Sequence, residues 1–331
     1  MKKVRMAVIG VGHLGRFHAA KLALLPEVDL IAVVDVIPQR AEEMARRLGV
    51  RALTDFREIL PEVDAVSVVV PTVHHYEVAR AALEAGCHVF VEKPLAASPE
   101  EARDLVKRAR KLDRILQVGH IERFNPAIKR LLAETEAPVF IEAERVSRFS
   151  ERCLDVDVVL DLMIHDLDLV LALTRQKVVS LQATGAPVMT DKTDLASVRL
   201  VFEKGTVANL TASRLALTPR RSFRVFQPGM YLAADTLENT FVKVKLRSES
   251  SEDQDGFSEA ETFPDPDPLF EELTSFVHAV ASGQRPPVSG EDGFEALELA
   301  FRIKKEIEKQ KAHFLAREGS CLPDLKRHCV S

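Results

Sequence analysis

Two rhythms of apolar residues alternate over the first 120 positions. Short, largely apolar runs rich in β-branched residues occur at Val4 to Ile9, Val28 to Asp35, Asp64 to Val70, His88 to Val91 and Arg114 to Val118. Runs this short and this apolar suit strands buried on both faces, as in a parallel sheet. Between them the spacing becomes that of amphipathic helices at Pro38 to Leu48, His75 to Ala85 and Ser98 to Leu112, with one helical turn at Thr54 to Leu60. Ser98-Pro99-Glu100-Glu101 carries a helix start: a hydroxyl cap, a proline at the first helical position and an acid at the third. Strand alternating with helix predicts a doubly wound α/β domain over residues 1–120. Asp64 to Val70 counts as its fourth strand, with no run assigned to the third.

Past residue 120 the pattern changes. Ile121 to Ala133 has helical spacing, Val139 to Arg148 is strand-like, and Val156 to Leu173 is a strongly apolar helix. Val178 to Pro187, Leu195 to Phe202, Gly205 to Leu217, Ser222 to Phe226, Met230 to Ala234 and Thr240 to Leu246 follow with β character. Many strands with few helices predict a second, α+β domain over residues 121–318, built on one large, open, mostly antiparallel sheet. Ser248 to Gly256 is acidic and serine-rich and is read as a loop. Pro268 to Ala281 and Gly293 to Ala316 are helices, the last expected to return and brace the first domain. Residues 319–331 carry no periodicity and are read as a loose tail or arm.

Composition narrows the function classes. A chain of 331 residues suits two cores, and 46% apolar with 29% charged residues is ordinary for a globular protein. The net charge of −5, with no basic stripe interleaved with aromatics, argues against a nucleic-acid partner. No apolar run reaches membrane-spanning length. The N-terminal run is short, broken by Arg5 and already needed as a strand, so it is not read as a signal peptide. Cys87, Cys153, Cys321 and Cys329 form no C-x-x-C pair, which suits a reducing cytoplasm and gives no metal site.

The first strand runs into Gly10, Gly12 and Gly15, spaced G-x-G-x-x-G. Gly10 allows the tight turn, Gly12 lets backbone approach a pyrophosphate, and Gly15 lets the next helix pack on the strand. The N–H groups and positive dipole end of that helix then face the phosphates. Asp35 ends the second strand about 20 residues past the last glycine, where an acid hydrogen-bonds ribose hydroxyls and repels a 2′-phosphate. The expected cofactor is NAD rather than NADP.

Two further constellations can carry chemistry. Glu92-Lys93-Pro94 follows the buried strand HVFV, and proline after Lys93 forces extended or turned backbone that aims the lysine into the crevice. On its own, Lys93 is better read as an ordinary surface ion-pair partner of Glu92. On the apolar helix, Asp161, His165 and Asp168 recur at i, i+4 and i+7 as one polar stripe, with Asp166 nearly opposite. The stripe is either a catalytic group or a structural network in which Asp161 satisfies His165.

Together, the glycine loop, the Pro71-Thr72-Val73-His74-His75 turn, the Glu92-Lys93-Pro94 triplet and the Asp161-x-x-x-His165 helix resemble the glucose-fructose oxidoreductase/inositol dehydrogenase/rhizopine catabolism family (Gfo/Idh/MocA) from Val4 to about Ala316. The resemblance implies an N-terminal Rossmann domain and an NAD-dependent dehydrogenase acting on a secondary alcohol. Its catalytic lysine and histidine, which meet beside the nicotinamide, would be Lys93 and His165, with Asp161 orienting or tuning them. Cofactor contacts are expected from Gly10, Gly12, His13, Leu14, Gly15, Asp35, Pro71, Thr72, His75, Glu92 and Lys93. The family is usually dimeric or tetrameric, which implies a homodimer or homotetramer. The match departs at Asp155-Val156-Asp157-Val158, where many members have a glycine-rich turn, so the pocket's shape there does not carry over.

His165 suits the base that takes the hydroxyl proton, and a cationic Lys93 suits stabilising the oxygen. For the substrate, Gly119 to Pro126 (GHIERFNP) and Arg145 to Arg152 (RVSRFSER) border the crevice and gather arginines. Guanidinium forks there suit a pyrophosphate, unless they are simply solvated at element ends. The expected substrate contacts are Lys93, Arg123, Arg148, Asp161 and His165. GHIERFNP and the DVDVVLDLMIHD helix resemble the nucleotide-sugar branch of the family. That implies oxidation of UDP-N-acetylglucosamine at its 3-hydroxyl, preparing an amination in lipid A or polysaccharide synthesis. The corresponding uronate, a free inositol-type polyol, a non-sugar ring and a non-catalytic NAD-binding regulator stay open as alternatives.

Overall fold

Uniformly apolar strands demand cover on both sides, and the chain supplies it. The computed structural model describes residues 3–149, 156–245 and 257–317. Six parallel strands, β1 (Val4–Ile9), β2 (Val28–Val34), β3 (Arg51–Leu53), β4 (Ala65–Val68), β5 (His88–Glu92) and β6 (Leu116–Gly119), lie in the order β3-β2-β1-β4-β5-β6. The order reverses between β1 and β4, so a crevice opens at their carboxyl ends. Among the helices of the chain, α1 (Gly15–Leu22), α2 (Pro38–Leu48) and α7 (Pro268–Ser282) cover one face. The other is covered by α3 (His75–Glu84), α4 (Pro99–Lys111) and α8 (Gly290–Arg317).

The second sheet obeys the other rule, alternating buried and outward residues most clearly along the chain's seventh, ninth and tenth strands. Its strands are β7 (Phe140–Val146), β8 (Val178–Ala186), β9 (Leu195–Phe202), β10 (Val207–Ser213), β11 (Arg220–Gln227), β12 (Met230–Asp235), β13 (Thr240–Lys245) and β14 (Phe257–Thr262). They run β14-β13-β12-β11-β7-β10-β9-β8, parallel only where β7 meets β10. Inward residues such as Ile141, Val198, Leu210 and Val225 pack on α5 (Pro126–Glu134), α6 (Ile164–Thr174) and α8. The opposite face carries an aromatic row, Phe140 to Phe226 to Tyr231, with ring centroids 5.9 and 5.1 Å apart.

Two elements from the second half complete the first domain. Phe276 of α7 sits edge-on to Phe90 at 5.8 Å and, with Leu273, joins the cluster containing Met6, Val8 and Leu22. Gly290 and Gly293 let α8 lie against β6: a Cβ at Gly290 would be 2.6 Å from Leu116 Cδ2, and one at Gly293 2.5 Å from Val118 Cγ2. The expected bracing by the last helix is therefore a close backbone approach. A boundary at 120 divides the sequence but not this core.

Other expectations change in detail. The third strand is β3, a three-residue edge with two exposed positions and no pattern to read. The helix expected over 121–133 is broken: Ile121–Phe124 is a 3-10 turn, and Asn125 Oδ1 caps α5 by accepting from Ala127 N at 3.0 Å. The apolar helix starts as a π turn, Val159–Met163, before becoming α6. Ser150 to Asp155, the acidic loop and the tail lie outside the described residues, as do Cys153, Cys321 and Cys329. Cys87 is buried, with its thiol donating to Leu60 O at 3.4 Å, and burial pushes its pKa up to about 11, which makes it inert. Among the described residues no helix is long and apolar enough to cross a membrane, and no His/Cys/Asp/Glu group is placed to hold a metal.

Candidate active site

The glycine loop is shaped by close contacts. Gly10 has φ +90°, and a Cβ there would lie 2.5 Å from Val69 O; a Cβ on Gly15 would lie 1.8 Å from Gly10 O. Around Gly12 nothing stands within 4 Å of a Cβ, so a pyrophosphate has room to approach the backbone. No side chain caps the N-terminus of α1; Arg16 N and Phe17 N donate to Gly12 O and Leu14 O, and the positive end of the helix faces the loop. His13 and Leu14 are exposed on the loop. Asp35 is largely buried, its Oδ2 accepting from Val11 N at 3.0 Å and its Oδ1 from Ile37 N at 2.9 Å. It therefore ties the loop to the end of β2, while each oxygen keeps a lone pair for a hydroxyl. These residues fit a dinucleotide.

Pro71 leads into a 3-10 turn, Thr72–His74, over the end of β4. His75, expected at the cofactor, is instead buried beneath it, with Nδ1 2.8 Å from Pro94 O and Nε2 2.9 Å from Val70 O. Burial lowers its pKa, so the neutral ring donates one of these two contacts. It clasps the β4 loop to the Glu92-Lys93-Pro94 turn, whose Lys93-Pro94 peptide is cis. Glu92 points inward: Oε1 is 3.1 Å from His18 Nε2, and His18 Nδ1 is 3.0 Å from Ser67 Oγ. Burial works to raise the Glu92 pKa, but the hydrogen bond and charge of His18, then Lys93, hold it below the usual carboxylate range.

Lys93 reaches across to the second domain. Its Nζ donates to Asp161 O at 2.7 Å and Asp161 Oδ1 at 3.2 Å, and its side chain is 19% exposed. Asp161 sits within the π turn, where the wider i→i+5 turn spreads the backbone. The stripe read from the helix thus splits three ways. Asp161 serves Lys93, Asp168 leaves for Arg123, and His165 takes neither. His165 lies at the carboxyl ends of the first sheet, and its buried Nδ1 has no partner among the described residues. Its pKa is held well below the ordinary histidine value, first by burial and then by the charges of Lys93, Arg145, His120 and Arg221. A neutral imidazole beside an ammonium can accept a proton from a hydroxyl while the ammonium steadies the oxygen.

The arginines resolve differently from expectation. Arg123, expected on substrate, is 13% exposed and forms a two-pronged pair with buried Asp168 at 2.6 and 2.7 Å, so its fork is closed. Arg145 is buried between Asp166 (2.8 Å) and Glu122 (2.6 Å). Burial pushes the Asp166 pKa up, whereas Glu122, also opposed by burial, is held low by Arg145. Removing one member of such a buried set costs about 3–5 kcal/mol. Arg148 is exposed and donates to Leu217 O at 2.9 Å. Arg221, not foreseen, is 47% exposed, 3.8 Å from Glu122, and its charge reaches His165. His120, also missed, sets its ring edge-on to His165 with centroids 6.2 Å apart.

Comparison with known proteins places this geometry. A family model described as "Oxidoreductase family, NAD-binding Rossmann fold" matches residues 4–120, and one described as "GFO/IDH/MocA C-terminal domain" matches residues 134–227. The chain is 40% identical to the UDP-N-acetylglucosamine 3-dehydrogenase of Acidithiobacillus ferrooxidans over 93% of this chain and 98% of the relative. The solved structure of that enzyme superposes with a TM-score of 0.87, covering 93% of this chain and 99% of the other. The myo-inositol 2-dehydrogenase of Thermotoga maritima is 30% identical, over 93% of this chain and 98% of its own.

Proposed function

The chain belongs to the Gfo/Idh/MocA family of NAD-binding oxidoreductases, and from that premise we propose that it oxidises the 3-hydroxyl of UDP-N-acetylglucosamine to the 3-keto sugar nucleotide. The observation that carries the reading is that the Lys93 charge reaches a His165 held neutral by burial, on a chain whose glycine loop leaves the backbone open at Gly12. The 40% identical relative of that activity supports the substrate. Gly12 and the start of α1 hold the pyrophosphate of NAD, and Asp35 accepts from the adenosine ribose. The nicotinamide of a bound NAD would supply the acceptor for the hydride of the sugar carbon. His165 Nε2 accepts the hydroxyl proton, and Lys93 donates a hydrogen bond to the same oxygen as its negative charge develops. Asp161 holds Lys93 in place. With Arg123 committed to Asp168, Arg221, whose charge reaches His165, and the exposed Arg148 would meet the diphosphate. The face of the second sheet that carries the aromatic row, away from the helices described, serves a homodimer or homotetramer in the cytoplasm.

With NAD and UDP-N-acetylglucosamine, absorbance should report NADH, and a glutamate-dependent 3-aminotransferase should trap the product as a 3-amino sugar nucleotide seen by mass spectrometry. Arg221→Ala should raise KM for the sugar nucleotide and leave KM for NAD unchanged. Turnover of free inositol or glucose, with none of either UDP-N-acetylglucosamine or its uronate, would overturn the nucleotide-sugar reading. Cofactor choice gives a separate test. Asp35→Ser removes the charge that repels a 2′-phosphate, so the ratio of kcat/KM for NAD over NADP should fall. Equal ratios in wild type and variant would remove Asp35 from that role.

A further inference from the structure

Behind His165 lies a group of buried polar atoms that no other side chain satisfies. They are His165 Nδ1, both ring nitrogens of His120, Gln117 Oε1 and both carboxyl oxygens of Glu272, all without a partner among the described residues. His120 is 1% exposed and Glu272 0%. The groups fall in two pairs: Gln117 Nε2 donates to the backbone carbonyl of Glu272 at 3.1 Å, and the His120 ring meets His165 edge-on. Glu272 and His120 also feel the same two carboxylates, Glu92 and Asp168. Buried polar groups are nearly always paired, and in a polar interior ordered water supplies the missing partner.

The histidine geometry suits one such water. The two rings stand perpendicular with their centroids 6.2 Å apart, so no nitrogen of one can reach a nitrogen of the other directly. One water can span such a gap through two hydrogen bonds. The chemistry asks for the same thing. To accept a proton at Nε2, neutral His165 carries its own on Nδ1, and a buried Nδ1–H needs an acceptor.

We propose that His120 is a positioning residue for His165: through one bridging water, its unprotonated nitrogen accepts from His165 Nδ1–H and leaves Nε2 open to the substrate hydroxyl. The neutral states agree with this. Burial lowers the His120 pKa against Asp168 and Glu92 and together with Arg123 and Lys93, which keeps an acceptor on its ring. Burial, then Glu92 and Asp168, push the Glu272 pKa well above the carboxylate range, which keeps it a donor. When His165 takes the substrate proton, the imidazolium donates from both nitrogens and the water already stands at the inner one.

This inference rests on His165 being the base, and the experiment separates the two. His120→Phe in the full chain should lower kcat about 10–100-fold, the range for lost partners of a reacting group, with KM for NAD unchanged. His120→Gln, which keeps a polar acceptor, should restore kcat to within a few-fold of wild type. Nitrogen NMR should find His165 protonated at Nδ1 in wild type and losing that preference in His120→Phe. Wild-type kcat in His120→Phe, equal losses in Phe and Gln variants, or a wild-type His165 protonated at Nε2 would each overturn it. The NMR arm on wild type decides the matter if His120→Phe fails to fold. A fully active His165→Ala would sink the base reading itself, whereas an inactive His165→Ala beside an unaffected His120→Phe sinks only the role of His120.

Discussion

Lys93→Ala is expected to cut turnover by roughly 10²–10⁴, the range for a lost proton-handling or charge-stabilising group, with little change in affinity for NAD. Lys93 is anchored by the carbonyl and the carboxylate of Asp161, so its position owes nothing to the cofactor. Lys93→Met keeps the aliphatic stem and should lose nearly as much, which isolates the charge from the packing. The same variant tests the pairing with His165. The ammonium is the first charge, after burial, that depresses the His165 pKa. Its removal should move the acid limb of the kcat profile to higher pH. A Lys93→Met enzyme with wild-type kcat and an unmoved limb would show that the lysine only braces the two domains.

The large frame of the fold was readable because long-range demands coincide with local pattern. β1, β2, β4 and β5 are apolar at nearly every position, and only a sheet covered on both faces satisfies that. Capping residues placed α4 correctly, with Ser98 Oγ accepting from Glu101 N at 3.2 Å. The same kind of signal stood at Asn125-Pro126, a cap followed by a first-position proline, but helical spacing across it hid the break. β3 and β14 are edge strands of the two sheets, and edges lack the two-sided burial that writes a pattern. The π turn at Val159–Met163 was invisible for a related reason: a reading at 3.6 residues per turn assumes the regular ladder.

At the site, residue types were legible and partnerships were not. The charge of Lys93 reaches His165, yet Asp161 faces the lysine, not the histidine. Arg123 finds Asp168 45 positions away, and Arg145 finds Glu122 and Asp166 on two other elements. Such pairings depend on how elements stack, which no spacing within one helix encodes. His120 is the clearest miss. A lone histidine after a strand carries no periodic signal, and its meaning arises only where α6 brings His165 against it.

His165→Ala is expected to match the Lys93 variant, a loss of roughly 10²–10⁴ in kcat, with NAD affinity retained. The pH dependence gives the sharper test. As a base His165 works when unprotonated, and its folded pKa lies well below 6.5. Wild-type kcat should therefore hold as pH falls through 6.5 and decline only at distinctly lower pH. Stability follows the same asymmetry. In the unfolded chain the imidazole takes up a proton near its ordinary value, about 6.5, and in the folded chain it does not. Between the two values the unfolded state binds more protons, so this group's contribution is complete above about pH 6.5 and is lost as pH falls toward the folded pKa. His165→Ala should remove that slope, so melting temperatures of variant and wild type should run closer together at acid pH than at neutral pH, or cross. An acid limb near 6.5 in wild-type kcat would mean an ordinary, solvated histidine. Near-normal turnover in His165→Ala across pH would assign the proton to another group in the crevice.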